Sequence, residues 1–453
     1  MLTGTVASDW SKKSVHAPGQ WLTGAPVKGI PQMINRRVLF QGGLAATAVG
    51  LLAACGGDNG STGSTTAAST NASSAASSAP ADAGTITVWI DANRSPVLKP
   101  VAEQFKKDTG VSVNLVIKDF PKIADDFITQ APTGKGPDAI LCAHDGIGRF
   151  VQNGVIAPLE LGDASIFQDV AVAGFTYEGK TYGVPYSIEN IALLRNTEMV
   201  SEAPKTWDDM VKAGTGKGKY KVLVGLDPKN SDPYHLYPAQ ASFDAPFFRT
   251  KDDGSYDTAK VAMGGEGGHK FAEWLAKQGK DGVLNLNISP DIAKDQFAKK
   301  QSAFFITGPW NMDVIKKAGF KYSIDAIPPA GDKEATPFVG VQGFVMSSKS
   351  KNTVATQKFL VEYLGSQSVQ ESLFKAGNRA PANKAAFEAA KSDADVAAFG
   401  AVGTKGVPMP NIAAMGGVWT DWGQAQATII GQKAADPKAV WDKAVAAVQA
   451  KIK

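Results

Sequence analysis

The sequence predicts an α/β fold for most of the chain, because strand patterns alternate with helix patterns along it. Apolar and polar residues alternate in 85–90, as in a strand with one buried face. A helical pattern that begins at Pro96 follows, and Gly110 ends it at the position where a left-handed residue is favoured. Residues 84–453 are also long enough to form two domains.

The next segments extend this start into a βαβαβ unit. The sequence predicts a strand at 111–117, a short helix around 123–130 and a buried third strand at 139–142. Strands joined in this way pair in parallel through right-handed crossovers. In open sheets of this kind, ligands bind beyond the carboxyl ends of the strands.

Polar side chains follow the first and third predicted strands. Asn93 and Arg94 come after the first strand, and His144 and Asp145 come after the third. An ordinary solvated loop is the alternative for any one of these residues. Two polar clusters on the same edge of a sheet favour a binding site.

One carboxylate, Glu189, falls within a run at 183–194 that otherwise has the character of a strand. A carboxylate buried in a strand needs bonding partners. Glu189 therefore either binds a ligand or belongs to a structural ion pair, and its sequence context leaves both readings open.

The middle and end of the chain repeat the alternation of strands and helices before a mostly helical last third. The further predicted elements are a turn at 177–180, a helix that begins at Thr206, a strand at 221–226, a loop that holds Asp232 and Tyr234, a helix at 291–300, a strand at 302–307, a turn that carries Trp310, a strand at 338–346, and a helical region in which Trp419 and Trp422 lie at positions i and i+3.

An export signal is predicted near the N-terminus. Two arginines precede an apolar run at 38–54, which is the order of a secretory signal, and Met33 is the expected start. The run is short and rich in glycine, so it is a poor permanent span. Its last residues and Cys55 read Leu-Ala-Ala-Cys, which resembles the lipobox of bacterial lipoproteins. Residues 1–54 are therefore predicted to be cleaved before a lipid-modified Cys55.

Two alternatives to this interpretation remain open. Cys55 could be a free cysteine at the end of a membrane anchor, and the arginine pair also resembles, more weakly, a twin-arginine export signal. Residues 55–83 are predicted to be the lipid anchor and a disordered linker, because their small and polar side chains cannot form a core.

Charge and cysteine content limit the class of function. The formal net charge of +4 comes from residues 1–54, whose charged residues are Lys12, Lys13, Lys28, Arg36, Arg37 and Asp9. The remainder is balanced, which argues against nucleic acid as a partner and agrees with a neutral ligand. Cys142 is the other cysteine, so no disulfide framework is expected. The chain shows neither metal-ligand spacing nor a phosphate-binding loop, and no cofactor is expected.

Eight short motifs occur in order along the chain. They are Ile86-Thr87-Val88-Trp89-Ile90, Phe105-Lys106-Lys107-Asp108-Thr109-Gly110, Gly136-Pro137-Asp138, Ala143-His144-Asp145, Pro204-Lys205-Thr206-Trp207, Gly308-Pro309-Trp310, Pro337-Phe338-Val339-Gly340-Val341 and Met409-Pro410-Asn411-Ile412. Taken together, they resemble the maltose/maltodextrin-binding proteins of bacterial ABC-type importers, and the resemblance covers essentially all of residues 84–453.

The resemblance implies a two-lobe, periplasmic-binding-protein-like α/β fold. Each lobe would be a mainly parallel sheet flanked by helices, and hinge strands would join the lobes. The first lobe would comprise about 84–188 and 343–390, and the second about 192–337 and 391–453. Sugar would bind in the cleft between them.

The resemblance also implies which residues bind the sugar. The aromatic stacking positions correspond to Tyr234, Trp310 and Trp419, and the polar positions correspond to Asn93, Arg94, Asp145, Glu189 and Asp232. Flat rings cover the C–H faces of a pyranose, carboxylates accept hydrogen bonds from its hydroxyls, and Arg94 donates them. Core packing is the alternative for the two tryptophans.

Several positions depart from the family pattern, and they lie along one wall of the implied cleft. Cys142 and Gly146 replace a tryptophan and an arginine, Asn93 and Arg94 replace an aspartate–lysine pair, and Thr420 and Gly423 replace a tyrosine and an arginine. Maltose or maltodextrin is the expected ligand, and trehalose, cellobiose or another oligosaccharide is the alternative. A surface glycosidase is the rival of another class.

The implied mechanism is that of a receptor and not of an enzyme. Sugar would bind one lobe first, and the lobes would then close by rotation near 187–190 and 337–343. The closed form would dock on membrane permease subunits that work with an ATPase. The protein is expected to be a monomer held by its lipid on the extracellular face of the membrane, or in a periplasm where an outer membrane is present.

Overall fold

Two large β-sheets, two small two-stranded sheets and the helices packed around them make up the structure, a computed structural model that describes residues 84–251 and 255–452. The predicted export signal, Cys55 and the linker lie outside the described residues. Among the described helices, none is both long enough and apolar enough to cross a membrane.

The strands and helices account for most of the described residues. The strands there are β1 (Thr85–Ile90), β2 (Ser112–Ile117), β3 (Ala139–Ala143), β4 (Thr176–Tyr177), β5 (Lys180–Thr181), β6 (Gly183–Asn190), β7 (Ala192–Asn196), β8 (Leu223–Val224), β9 (Phe248–Thr250), β10 (Tyr256–Val261), β11 (Phe304–Thr307), β12 (Tyr322–Asp325), β13 (Phe338–Met346), β14 (Ala380–Pro381) and β15 (Val407–Pro408). The α-helices are α1 (Ser95–Thr109), α2 (Phe120–Gln130), α3 (Ile147–Gln152), α4 (Asp169–Gly174), α5 (Trp207–Gly214), α6 (Pro233–Ser242), α7 (Gly265–Lys280), α8 (Pro290–Ala298), α9 (Met312–Ala318), α10 (Thr353–Lys358), α11 (Gln367–Gly377), α12 (Lys384–Ala390), α13 (Ala394–Gly403), α14 (Met415–Ile430) and α15 (Pro437–Lys451).

The first sheet has the strand order β14-β6-β13-β3-β1-β2, and β15 pairs with β13. β1 runs parallel to β2 and β3, as the βαβαβ start predicts. β13 runs antiparallel to both β3 and β6. The second sheet has the order β12-β7-β11-β8, and its β11–β8 pair is parallel whereas the other two pairs are antiparallel.

The two-lobe α/β fold is therefore confirmed, but the expectation of a mainly parallel sheet in each lobe is wrong. Parallel pairing follows from a βαβ crossover within one sheet. β13 enters the first sheet after β12, which belongs to the second sheet, so no such crossover sets its direction. β6 likewise follows a short hairpin of β4 and β5 and not a crossover helix.

The two large sheets pack in separate hydrophobic cores, and a third cluster covers the other face of the second sheet. Phe105 and Phe344 belong to the core beside the first sheet, and Phe271 and Phe338 belong to the core beside the second. Val339, the residue after Phe338, packs in the first core. β13 thus passes from one core to the other within two residues. The predicted limits of the two lobes stay a prediction.

Some local predictions hold at the level of single residues. Gly110 ends α1 in the left-handed conformation with φ 76°, and the side chain of Thr206 caps α5 by accepting a hydrogen bond from the backbone N–H of Asp209. The strand predicted at 221–226 is shorter and comprises only β8. Asp232 and Tyr234 were expected in a loop, and that expectation is wrong: Asp232 is the N-cap of α6, and Pro233 is its first residue. Proline in the first turn of a helix is a start signal.

Candidate functional site

Arg94, at the carboxyl end of β1, is held by a buried hydrogen-bond network. Its Nε donates to the hydroxyl of Tyr186 at 2.7 Å, and its Nη1 forms an ion pair with Asp91. Its Nη2 is buried and has no partner in the part of the chain that the structure describes. Asn93 lies next to Arg94 but is exposed and outside this network.

Asp145 follows β3 and is bonded to helix α14. Its Oδ2 accepts a hydrogen bond of 2.9 Å from Nε1 of Trp419. Burial raises the pKa of the Asp145 carboxyl above its ordinary value, although the bond from Trp419 acts in the opposite direction. The neighbouring His144 has a different role: its ring accepts from the backbone N–H of Val341 and donates to the carbonyl of Met409, so it fixes main chain.

Trp419 is half-buried, and one of its faces is covered by protein. It stacks on Trp422 with ring centroids 5.3 Å apart and an angle of 3° between the rings. Its ring also meets Phe338 edge-on at 6.2 Å. Trp422 is fully buried in the second core, so of the two tryptophans one helical turn apart only Trp419 is placed to meet a ligand.

Both carboxylate oxygens of Glu189 have partners. Oε1 accepts from Nε2 of Gln342 at 2.7 Å, and Oε2 accepts from Nε of Arg379 at 2.5 Å. The ion pair that the sequence left open is thus present, and both of its side chains are buried. Because each carboxylate oxygen has room for a second hydrogen bond, the pair does not prevent Glu189 from meeting a ligand hydroxyl.

Trp310, Tyr234 and His235 form an aromatic cluster beside this ion pair. The Tyr234 and Trp310 centroids are 6.5 Å apart, and the His235 ring meets Trp310 edge-on at 5.9 Å. Burial, together with the charges of Glu189 and Asp232, raises the pKa of the Tyr234 hydroxyl well above its ordinary value. That hydroxyl has no partner among the described residues.

The glycine before Pro309 makes room for Trp310. A Cβ placed on Gly308 would lie 2.0 Å from the Trp310 ring, so a larger residue would displace the indole. The Gly-Pro-Trp motif after β11 therefore has a steric reason, and it positions the ring where the strand ends.

Asp232 is already bonded within its own helix. Its Oδ1 accepts from the backbone N–H of His235 at 3.0 Å, and its Oδ2 accepts from Nδ1 of the same residue at 2.7 Å. Asp232 therefore fixes the start of α6 and the orientation of His235 beside Trp310. Its direct contact with a ligand stays a prediction.

A continuous chain of rings connects the predicted residues. Tyr234 is 6.5 Å from both Trp310 and Phe338, and Phe338 in turn meets Trp419. The chain of rings runs from the Glu189 ion pair to Asp145. Seven of the eight predicted site residues belong to this chain of rings, are bonded to residues beside it, or form part of the Arg94 network. The eighth, Asn93, does not.

Several residues of the site were missed by sequence reasoning. They are Asp91, Tyr186, His235, Phe338, Gln342 and Arg379. The position of His235 beside Tyr234 was a usable signal, since helix α6 brings both rings to one place. Arg379 and Gln342 gave none, because they are far from Glu189 along the chain and only the pairing of β6 with β13 and β14 brings them to it.

Two departures from the family pattern have structural reasons. A Cβ on Gly423 would lie 2.0 Å from the carbonyl oxygen of Asn230, so the backbone of that loop occupies the space of an arginine side chain. Cys142 is a core residue of β3, and burial raises the pKa of its thiol well above its ordinary value. It is therefore an inert packing residue.

The chain is similar to several known proteins. A galactooligosaccharide-binding protein of Bacillus subtilis is 27% identical over 388 residues, which cover 81% of this chain and 89% of that protein. A maltooligosaccharide ABC transporter solute-binding lipoprotein of Streptococcus pneumoniae is 28% identical over 358 residues, covering 75% of this chain and 84% of the relative. The solved structure of the Thermus thermophilus maltotriose binding protein bound with maltotriose matches with a TM-score of 0.74 and 29% identity, covering 81% of this chain and 100% of that one. Residues 101–400 match the family of bacterial extracellular solute-binding proteins, and the chain belongs to that family.

Proposed function

We propose that this protein is a lipid-anchored receptor that binds an oligosaccharide of the maltodextrin class and delivers it to an ABC-type importer. The observation that carries the proposal is the chain of rings from Trp310 to Trp419, which has a carboxylate at each end, the buried Glu189 and the half-buried Asp145. Aromatic faces suit the C–H faces of pyranoses, and carboxylates suit their hydroxyls.

The relatives support this choice of ligand class and also mark its main alternative. One is named for maltooligosaccharide and one solved structure holds maltotriose, whereas another relative is named for galactooligosaccharide. A galactooligosaccharide is therefore the second candidate.

The proposal is tested by a thermal-shift screen followed by calorimetry. The sugars are maltose, maltotriose, trehalose, cellobiose and a galactooligosaccharide. Ligand binding to the folded state raises the melting temperature by mass action, so we expect a shift with maltotriose. A shift with the galactooligosaccharide alone would move the ligand class to the second candidate, and no shift with any sugar would overturn the receptor proposal.

We propose that the bound sugar is not cleaved. A glycosidase needs two carboxyl groups on either side of the scissile bond, roughly 5–9 Å apart, and one of them must act as an acid. Both carboxylate oxygens of Glu189 accept hydrogen bonds, from Gln342 and Arg379, which is not the arrangement of a carboxyl group that donates a proton to a leaving group. Incubation with maltotriose should leave the trisaccharide intact by chromatography, and the appearance of shorter sugars would contradict the proposal.

Binding is expected to close the two lobes around the sugar. The predicted hinge segment at 187–190 is the last part of β6, and the segment at 337–343 covers the first part of β13. Only the closed form contacts the sugar from both sides, and that differential contact shifts the population toward it. Small-angle scattering should show a smaller radius of gyration with saturating sugar. An unchanged radius would contradict closure.

The predicted lipid on Cys55 would hold the receptor beside its importer. Replacing Cys55 by serine should move the protein from the membrane fraction to the medium and abolish metabolic labelling with a fatty acid. Cys142→Ser is the matched control, because that thiol is buried in the core and should not be labelled. Membrane retention of the Cys55→Ser protein would point to a non-lipid anchor.

Trp310→Ala should weaken sugar binding by about 2 kcal/mol or more, which is about 30-fold in Kd. The ring is half-buried beside Tyr234 and Arg379, so its removal takes away a stacking surface and little core packing. Calorimetry measures the change. Trp310→Phe keeps a flat ring and should retain most of the affinity. Equal affinity of the alanine variant and the wild type would remove Trp310 from the site.

A further inference from the structure

The predicted site is rich in hydrogen-bond acceptors and poor in free donors. Asp145, Glu189 and Asp232 are carboxylates, and the donor that the family resemblance implies is Arg94. A sugar hydroxyl both donates and accepts, so acceptors alone leave half of its bonding capacity unused. A further donor at the site would complete the match.

Arg94 is poorly placed to be that donor. Its Nε is bonded to Tyr186, and its Nη1 is paired with Asp91. The remaining Nη2 is enclosed by protein, and the whole residue is only 4% exposed. A ligand hydroxyl could reach this guanidinium only if the surrounding side chains moved.

Arg379, unlike Arg94, has guanidinium donors that are neither bonded to any described residue nor fully enclosed. Its Nε is bonded to Glu189, whereas no hydrogen bond joins its Nη1 or Nη2 to any residue within 84–251 and 255–452. Unlike Nη2 of Arg94, these two nitrogens are not fully enclosed by protein. Arg379 therefore keeps donors that a ligand can meet.

The backbone around Arg379 fixes where those donors lie. Asn378 ends α11 in the left-handed conformation with φ 54°, and β14 begins directly after Arg379 and pairs with β6. Asn378 is also bonded to Lys316 at 3.0 Å and to Asp313 at 2.8 Å. Arg379 thus extends from a short segment that is fixed on both sides.

The guanidinium lies over an aromatic ring of the site. The central carbon of the Arg379 guanidinium is 5.7 Å from the centre of the Trp310 ring. A pyranose that packs against this indole would bring its rim of hydroxyls toward the guanidinium and the Glu189 carboxylate together. One hydroxyl could then donate to Glu189 while it, or its neighbour on the ring, accepts from Arg379 in a charge-assisted bond.

We propose that Arg379 is a sugar-binding residue, whose Nη groups donate to hydroxyls of the sugar ring that packs against Trp310. This inference rests on the proposed function as a sugar receptor and adds the donor that the site otherwise lacks. It also assigns Arg379 a role in specificity. A sugar whose hydroxyls do not point toward the planar guanidinium of Arg379 would lose these hydrogen bonds.

The test compares Arg379→Lys with the wild type by calorimetry, using maltose and a set of its monodeoxy derivatives. Lysine keeps the positive charge beside Glu189 but loses the planar fork. We expect Kd for maltose to rise about ten-fold to a hundred-fold. The wild type should bind one or two of the deoxy sugars less tightly than maltose, and Arg379→Lys should lose that discrimination.

Arg195→Lys is the matched control. Arg195 is also a buried arginine whose Nε is paired with a carboxylate, that of Asp325 at 2.8 Å, but it lies in the second sheet, away from the ring chain. Its lysine variant should bind maltose as the wild type does. If Arg379→Lys fails to fold, Arg379→Gln, which keeps Glu189 unchanged and can still donate a hydrogen bond to it, replaces it in the same measurement.

The outcomes separate this inference from the proposed function. If the wild type binds maltose and the Arg379 variant has the same Kd, or discriminates among the deoxy sugars as the wild type does, the inference is overturned. The proposed receptor function then still stands. Failure of the wild type to bind any sugar of the screen would overturn both.

Discussion

Glu189→Ala should lower the free energy of unfolding by about 3–5 kcal/mol, since it leaves a buried guanidinium without its counter-ion. The side chains of Arg379 and Glu189 are 9% and 8% exposed, so water can replace the lost partner only in part. Gln342 loses its acceptor at the same time. Urea unfolding followed by circular dichroism measures the loss.

Removal of both charges should restore much of that stability. A Glu189→Leu/Arg379→Met double variant replaces the ion pair by apolar side chains, a change that is often neutral or stabilising in buried positions. It should unfold close to the wild type but bind no sugar. If Glu189→Ala alone were as stable as the wild type, the ion pair would be open to solvent, and its role in fixing the site would be lost.

Trp422→Ala should cost about 3–5 kcal/mol of stability, because it removes a fully buried aromatic side chain. Trp422 stacks on Phe247 at 5.4 Å, and its Nε1 donates to the side chain of Gln240 at 2.8 Å. The change leaves a cavity and an unpaired polar group in the second core. The free energy of unfolding from urea titration measures the effect.

Trp419→Ala, one helical turn earlier, is the paired comparison. Trp419 is only half-buried, so its loss should cost less stability than that of Trp422, but it should weaken sugar binding. The two variants therefore separate a stability effect from an affinity effect on one helix. A larger stability loss for Trp419→Ala than for Trp422→Ala would reverse the roles assigned to these rings.

The sequence predicted those elements whose signals are local. The alternation in β1, the left-handed Gly110 and the cap at Thr206 each depend on a few neighbouring residues, and each is found in the structure. The strand predicted at 338–346 has those limits as β13. Periodicity could not predict its antiparallel pairing with β3 and β6, because pairing depends on how the chain returns from the second sheet.

The site was predictable only in part for a similar reason. Resemblance supplied the aromatic and acidic positions, but it did not supply the cation that balances Glu189. That cation, Arg379, is 190 residues away in the chain and follows an ordinary helix end, so nothing in its neighbourhood marks it. Asp232 shows the opposite case: its Asp-Pro context is a local helix start, which gives this residue a capping role beside the predicted one.

The stacked pair on α14 gives the molecule an optical reporter of its own. Indole emission changes with the polarity around the ring and with hydrogen bonding at its nitrogen. Trp419 has one face on Trp422 and its Nε1 on Asp145, so a ligand that displaces or shields it changes its surroundings, whereas Trp422 stays fixed in the core. Sugar binding at the proposed site should therefore change the emission of the unlabelled protein, in real time, through Trp419 and Trp310, whereas Trp422 contributes a constant background.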